Sequence, residues 1–101
     1  MTFVSDVLSG RVSLEDIDSY HDKWNESKED LGEFHDFLGL LWPEYAMWVE
    51  DDDVLRYVIE SRRSGVELRD LLRAREAEDA TAAELLRLSS RYSAEWEAVT
   101  T

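Results

Sequence analysis

Residues 31–49 read LGEFHDFLGLLWPEYAMWV, and this stretch predicts two short helices joined by a turn. The first helix is expected over residues 31–38. Gly39 should end it, because glycine adopts the left-handed turn conformation without steric cost. The second helix is expected over residues 43–50, with Pro43 in its first turn, where the missing N–H is not needed. The side chains expected to be buried in this stretch are Leu31, Phe34, Phe37 or Leu38, Leu40, Tyr45 and Trp48.

The rest of the chain also has a helical pattern. Pro43 is the only proline, and no segment alternates apolar and polar residues over the length of a strand. Further helices are expected over residues 2–9, from Ser13, over 54–63, from Gly65 to about Glu78, and from Thr81. The sequence therefore predicts an all-α fold, a compact bundle of five to seven short helices.

The C-terminal third of the chain allows two interpretations. Ser64 with Glu67 and Thr81 with Glu84 have the spacing of capping boxes, which favours a break between two helices. The alanines near that break are strong helix formers, and residues 66–99 could also form one helix of about 50 Å. We therefore expect a longer C-terminal helix or a helical hairpin, and the single long helix would need a partner or a dimer to cover its apolar stripe.

Length and composition limit the class of protein. A chain of 101 residues fits a single domain spanning residues 1–101. Cysteine is absent, which excludes disulfide scaffolds, zinc–cysteine sites and cysteine nucleophiles. The sequence contains no apolar run of about 18 residues and no recognisable signal peptide. The expected location is therefore cytoplasmic.

Charge is distributed unevenly along the chain. It has 24 acidic and 11 basic residues, for a net charge of −13. Residues 1–55 hold 15 acidic and 3 basic residues together with eight of the aromatic residues, whereas residues 56–101 hold 9 acidic and 8 basic residues. This balance argues against binding to nucleic acid or to anionic membranes. The acidic side chains either attract a binding partner or only keep the protein soluble.

Residues 31–49 resemble the helix-turn-helix of repressor-like proteins, with Leu-Gly-apolar at the turn and a helix on each side. The longer stretch to Asp53 is also similar to segments of small bacterial antitoxin-like and regulator-like proteins, and it identifies no specific family. The resemblance implies a helix-turn-helix-like unit. The second helix departs from a DNA-reading helix, because its exposed positions hold no arginine, lysine, asparagine or glutamine to reach bases or phosphates.

That second helix instead offers tryptophan and methionine surrounded by acidic residues, which is typical of a protein-binding surface. The alternative is that Trp42 and Met47 complete the hydrophobic core. Similarly, the eight arginines after residue 55 either pair within the chain or dock onto the acidic half of a second copy. The predicted partner-binding residues are Trp42, Glu44, Met47, Glu50, Asp51 and Asp52.

Enzymatic chemistry is not expected. His21 and His35 lack the spacing of metal ligands, and residues 50–53 lack the frame of a calcium loop, so they are better explained as helix-capping residues. The four glycines are isolated, which excludes a glycine-rich phosphate loop. We therefore predict no catalytic residue, no metal site and no cofactor.

The sequence thus predicts a non-enzymatic, acidic module that binds a basic protein, for example one that itself binds nucleic acid. It would neutralise that protein as an inhibitor or antitoxin does, by electrostatic steering followed by burial of apolar anchors. The alternative is a regulatory or assembly protein that self-associates through its helices as a homodimer, without reading DNA directly.

Overall fold

The structure, a computed structural model, describes residues 2–27 and 32–100. Within those residues the chain forms eight α-helices and no strand, so the predicted all-α class is confirmed and the number of helices exceeds the predicted five to seven. The elements are α1 (Phe3–Leu8), a 3-10 turn (Leu14–Asp16), α2 (Ile17–Glu26), α3 (Phe34–Leu38), α4 (Trp42–Glu50), α5 (Val54–Ser64), α6 (Leu68–Arg75), α7 (Ala80–Arg91) and α8 (Ser93–Thr100).

Two compact units make up the chain, Met1–Leu41 and Trp42–Thr101. The boundary lies between α3 and α4. The change in composition after Leu55, on which the sequence interpretation divided the chain, falls inside α5 and does not mark a structural boundary. Residues 1–41 hold 10 acidic and 3 basic residues, and residues 42–101 hold 14 acidic and 8 basic residues. Both units are therefore acidic.

The N-terminal unit is built from α1, the 3-10 turn, α2 and α3. The rings of Phe3 and Tyr20 meet edge to face with their centroids 5.1 Å apart, an arrangement that aromatic pairs favour. Asp6 is also buried, and one oxygen of its carboxylate accepts a hydrogen bond from the Tyr20 hydroxyl. The buried apolar side chains of this unit are Phe3, Val4, Tyr20, Leu38 and Leu40.

The turn after α3 has the predicted geometry. Gly39 has φ +87°, and a Cβ atom there would lie 2.6 Å from Oγ1 of Thr2, so both the backbone angle and the available space require glycine. Thr2 is held in place because it forms a reciprocal capping box with Ser5 at the start of α1. Helix α3 itself begins at Phe34, later than predicted. The predicted start at Leu31 lies outside the described residues.

The C-terminal unit is built from α4 to α8. Helix α4 contacts α5, α7 and α8, and α6 and α7 contact each other as a helical hairpin. The apolar stripes of the five helices supply the core, whose fully buried side chains include Met47, Val54, Val58, Leu72, Leu85 and Trp96. Among the described residues, no helix is long and apolar enough to cross a membrane.

Residues 66–99 form three helices, so the single long helix considered from the sequence is wrong. Asp79 separates α7 from α6. Its carboxylate accepts hydrogen bonds from the N–H groups of Thr81 and Ala82, at 3.0 and 3.3 Å, and so caps the N-terminus of a new helix. The chain turns again at Tyr92 before α8.

Both predicted capping boxes in this region are also wrong. Ser64 is the last residue of α5 because Gly65, at φ +74°, adopts the left-handed conformation that ends the helix. Glu67 is the N-cap residue of α6, and its side chain makes no capping hydrogen bond. At α7 the N-cap is Asp79, two residues before the predicted Thr81.

Candidate functional site

Helix α4 is apolar on two opposite sides. One side carries the apolar residues Pro43 and Met47, with Glu44 beside them, and all three are buried where α4 packs against α5, α7 and α8. The other side carries Trp42, Tyr45 and Val49, spaced i, i+3 and i+7, and we call these three residues the outer face of α4. A surface helix normally presents polar residues opposite its core side. The outer face of α4 therefore breaks the usual pattern at the surface of the protein.

The outer face is open to solvent to a large extent. Trp42 is 48% exposed and Val49 is 63% exposed. The aromatic rings form a row along the helix, with centroids 5.7 Å apart for Trp42 and Tyr45 and 5.8 Å apart for Tyr45 and Trp48. Rings that support one another in this way present a broad apolar surface with little freedom to rearrange. Aromatic residues of this kind are enriched in the binding cores of protein interfaces.

Glu44, predicted as a partner-binding residue, is not at the surface. Its side chain is 1% exposed, and both of its oxygens accept hydrogen bonds from the Arg62 guanidinium, at 2.9 and 2.6 Å. This is the bidentate geometry in which two N–H groups of an arginine donate to the two oxygens of a carboxylate. The carboxylate is thus committed to Arg62 of α5, and its assignment to a partner-binding surface has to be corrected.

Met47 also requires correction. It is fully buried, one turn after Pro43 on the side of α4 that packs against its neighbours. The predicted pair of anchors, Trp42 and Met47, therefore divides between the two sides of the helix: Trp42 is exposed, and Met47 belongs to the core. This is the alternative that the sequence left open for Met47.

Glu50 lies at the end of α4 and is held by the end of α7. The Tyr92 hydroxyl donates a hydrogen bond to Oε2, and the Arg91 guanidinium lies 3.3 Å from Oε1. The hydrogen bond to Glu50 raises the pKa of Tyr92 above its usual value, and desolvation acts in the same direction. The side chain of Glu50 is 38% exposed and that of Arg91 is 68% exposed, so this pair is in contact with water.

Asp51, Asp52 and Asp53 follow Glu50, and we call residues 50–53 the acidic segment. Asp51 accepts a hydrogen bond from the N–H of Asp53 at 3.0 Å, which shapes the turn between α4 and α5. Asp53 is the N-cap residue of α5, although its side chain makes no capping hydrogen bond. In the described part of the chain neither Asp52 nor Asp53 forms an ion pair. Asp52 and Asp53 therefore give the acidic segment negative charge that no described ion pair offsets.

The sequence interpretation did not identify most of the exposed and half-exposed apolar residues of α4. Tyr45 and Trp48 were expected to be buried, and both are instead partly exposed. Val49 received no role, although it is the most exposed of the large apolar residues described here. Their spacing was visible in the sequence. Because α4 is apolar on both sides, that spacing could not indicate which side faces the core.

Across residues 2–27 and 32–100, no group of three or more histidine or acidic side chains is arranged to hold a metal ion.

Comparison of the chain with known protein families, with curated proteins and with solved structures finds no match. The chemistry of the site therefore rests on the contacts of its own residues.

Proposed function

We propose that this chain is a non-enzymatic, acidic protein-binding module that neutralises a basic protein partner, as inhibitors and antitoxins do. The outer face of α4, beside the acidic segment, is its binding surface. Within this surface Trp42 and Val49 act as apolar anchors, while Glu50 and Asp52 attract the partner's positive charge. Asp51 mainly holds the turn between α4 and α5, so its contribution to binding is indirect.

The exposure of Trp42 and Val49 on one side of α4 is the observation that carries the proposal. Leaving a tryptophan half exposed and a neighbouring valine more so forgoes stabilisation of about 25 cal/mol for each Å² that could have been buried. Apolar clusters bordered by charged residues are typical of sites that bind other proteins. The core of the C-terminal unit is complete without these side chains, because Met47 and Pro43 already fill the inner side of α4.

The net charge of −13 supports a basic partner. Excess charge of one sign steers an oppositely charged protein toward its site and raises the rate of association, an effect that weakens as salt increases. If the partner binds nucleic acid, the carboxylates would compete for its phosphate-binding site, since DNA carries one charge per about 1.7 Å of its axis.

The alternative function, assembly through helical self-association, has lost its main premise. It depended on a long C-terminal helix with an apolar stripe that needed a second chain. Residues 66–99 instead form three helices, and α6 with α7 and α7 with α8 contact one another within the unit. Light scattering tests this alternative, which requires a dimer. Sequence-selective DNA binding at low salt would contradict both functions.

Affinity co-purification from the native host tests the proposed function. The full chain is immobilised, bound proteins are released in rising salt, and they are identified by mass spectrometry. We expect a basic protein that is released stepwise by salt and is no longer retained by Trp42→Ala or Val49→Asp. Retention of the same protein by both variants, or failure to retain any basic protein, would contradict the proposal.

Val66→Asp provides the matched control for Val49→Asp. Val66 is 40% exposed and lies between α5 and α6, away from α4 in the sequence. The two variants introduce the same charge at an exposed valine, so they change the net charge equally. Loss of the partner with Val49→Asp alone assigns the effect to the outer face of α4. Equal loss with both variants would assign it to charge in general.

A further inference from the structure

We propose that the element of the partner that binds the outer face of α4 is a basic amphipathic helix, and that one of its arginines pairs with Glu50 in place of Arg91. This inference rests on the proposed function and specifies the partner's structure and the exchange that accompanies binding. Three observations carry it: the shape of the outer face, the fixed carboxylate of Glu50, and the exposed pair between that carboxylate and Arg91.

The outer face has the shape that a helix can cover. Trp42, Tyr45 and Val49 lie along two turns of α4, a length of about 10 Å at 1.5 Å per residue. A convex apolar ridge of this length packs against side chains spaced i, i+3 or i+4 and i+7 on a second helix. An extended strand would need unpaired backbone hydrogen-bonding groups on its receiver, and a helix surface offers none.

Glu50 follows Val49 at the C-terminal end of α4, and its carboxylate is held by two residues at the end of α7. The Tyr92 hydroxyl donates to Oε2 and so fixes the orientation of the carboxylate, leaving Oε1 directed to the guanidinium of Arg91. A carboxylate oriented before binding loses less side-chain freedom when a partner arrives. The position that Arg91 occupies is thus already suited to an arginine.

Arg91 itself is easily replaced. Its side chain is 68% exposed and its nitrogen lies 3.3 Å from the carboxylate, so the pair is screened by water and contributes little to stability. A partner's arginine that reaches the same oxygen would do so at the Val49 end of the ridge, where the bound helix covers Val49 and reduces access of water, so the ion pair is stronger. The exchange therefore favours the partner's arginine over Arg91.

A second copy of this chain does not fit as the occupant. Two copies would bring together net charges of −13 each, and charge repulsion opposes that association. Charge complementarity instead favours a separate, basic helix that contacts the acidic segment as well as the apolar ridge.

Selection from a displayed helix library tests the inference. The library holds helices of about 18 residues, or five turns, with leucines fixed at i, i+4 and i+7 and with lysine, arginine, glutamine or glutamate at the remaining positions. The full chain is the target. We expect the selected helices to carry arginine next to the last leucine, and to lose binding to Trp42→Ala and Val49→Asp.

Variants at the exchange site then measure the role of each group with one selected helix. Arg91→Ala should bind it about two- to fivefold more tightly, as expected for removal of a competing exposed ion pair. Glu50→Gln should weaken binding by about tenfold or more. Tyr92→Phe should weaken it to a smaller extent, because the carboxylate remains but loses its fixed orientation. Arg87→Ala, an exposed arginine one turn earlier on α7, is the control and should have no effect.

Three outcomes would overturn the inference: no helix selected, no preference for arginine at the end of the leucine stripe, or equal affinity of Arg91→Ala and Arg87→Ala. The proposed function fails separately. If co-purification yields a basic protein that depends on Val49 while the library yields no helix, the function stands and the helical partner is wrong. If arginine-bearing helices are selected but no cellular protein is retained, the function is wrong and the geometry of the surface stands.

Discussion

Asp79 joins α7 to the Tyr57 side chain of α5 through its two carboxylate oxygens. The buried Tyr57 hydroxyl donates a hydrogen bond to Oδ2, while Oδ1 accepts from the N–H groups at the start of α7. The hydroxyl also accepts a hydrogen bond from the Arg56 guanidinium at 3.2 Å. A single carboxylate thus satisfies the exposed backbone donors of a helix end and a buried hydroxyl. It also creates the break between α6 and α7, which pack together as a hairpin.

We expect Asp79→Ala to destabilise the protein more than Tyr57→Phe does. Tyr57→Phe removes both hydrogen bonds of the hydroxyl, the one donated to Asp79 and the one accepted from Arg56, and should lower the free energy of unfolding by about 1–2 kcal/mol. Asp79→Ala removes the bond between Tyr57 and Asp79, leaves the hydroxyl of Tyr57 without its acceptor and also removes the cap of α7. Urea denaturation followed by circular dichroism measures both values. Equal losses for the two variants would show that the cap contributes nothing.

The carboxylate of Asp79 should make the stability of the protein depend on pH in the acidic range. The hydrogen bond from Tyr57 lowers the pKa of Asp79 below its usual value of 3.8, and the backbone N–H groups of Ala82 and Thr81 act in the same direction. The stabilisation is therefore present above 3.8 and is lost as the pH falls through the lower folded-state pKa. The stability difference between the wild type and Asp79→Asn should shrink over that acidic range. A difference that stays constant would contradict this assignment.

Tyr20 should produce the opposite dependence at alkaline pH. Its hydrogen bond to Asp6, together with burial, raises the pKa of Tyr20 from 10.0 to about 12. Below 10.0 the stabilisation is complete, and it is lost as the pH rises from 10.0 to about 12, because the unfolded chain releases the proton first. Asp6→Asn should bring the pKa of Tyr20 back toward 10.0. Absorbance titration of tyrosinate checks this, with Tyr20→Phe identifying the signal.

Substituting Arg62 or Glu44 in their buried ion pair should lower the stability of the protein by different amounts. Arg62→Ala removes both charge-assisted hydrogen bonds from arginine to a carboxylate that is 1% exposed, and should cost about 3–5 kcal/mol. Glu44→Gln should cost less, because the Arg62 side chain is 30% exposed and can be solvated. The double variant Glu44→Leu with Arg62→Met should regain most of the stability. Thermal and urea unfolding test the order, and Glu44→Gln as the more damaging change would reverse our interpretation.

Substitutions on the buried side of α4 should lower stability, whereas substitutions on its outer face should weaken binding. Met47→Ala opens a cavity in the core and should lower the free energy of unfolding by about 2–5 kcal/mol. Val49→Ala removes an exposed side chain and should change it by no more than about 0.5 kcal/mol. In the binding assay, by contrast, Val49→Ala should weaken retention of the basic partner. A large loss of stability with Val49→Ala would show that the outer face of α4 is part of the core.

Part of this structure could be predicted because the signals are local. The all-helical class follows from the spacing of apolar residues, and the turn at Gly39 follows from the freedom of glycine at positive φ. Helix ends were less predictable. The spacing of Ser64 and Glu67 fits a capping box, yet Gly65 ends α5 there, and Asp79 starts α7 by binding two N–H groups. Several residues near each end could serve as caps, and the chosen one depends on neighbouring helices.

The candidate site shows the same division between sequence and tertiary structure. Composition established that the chain is acidic and lacks cysteine, and the order of residues showed tryptophan and tyrosine along the stretch that forms α4. The sequence could not distinguish the two apolar sides of that helix, nor indicate that Glu44 is enclosed by Arg62 while Glu50 is held at the surface by Tyr92. Only the packing of α4 against α5, α7 and α8 decided this, because burial depends on which side of a helix its neighbours cover.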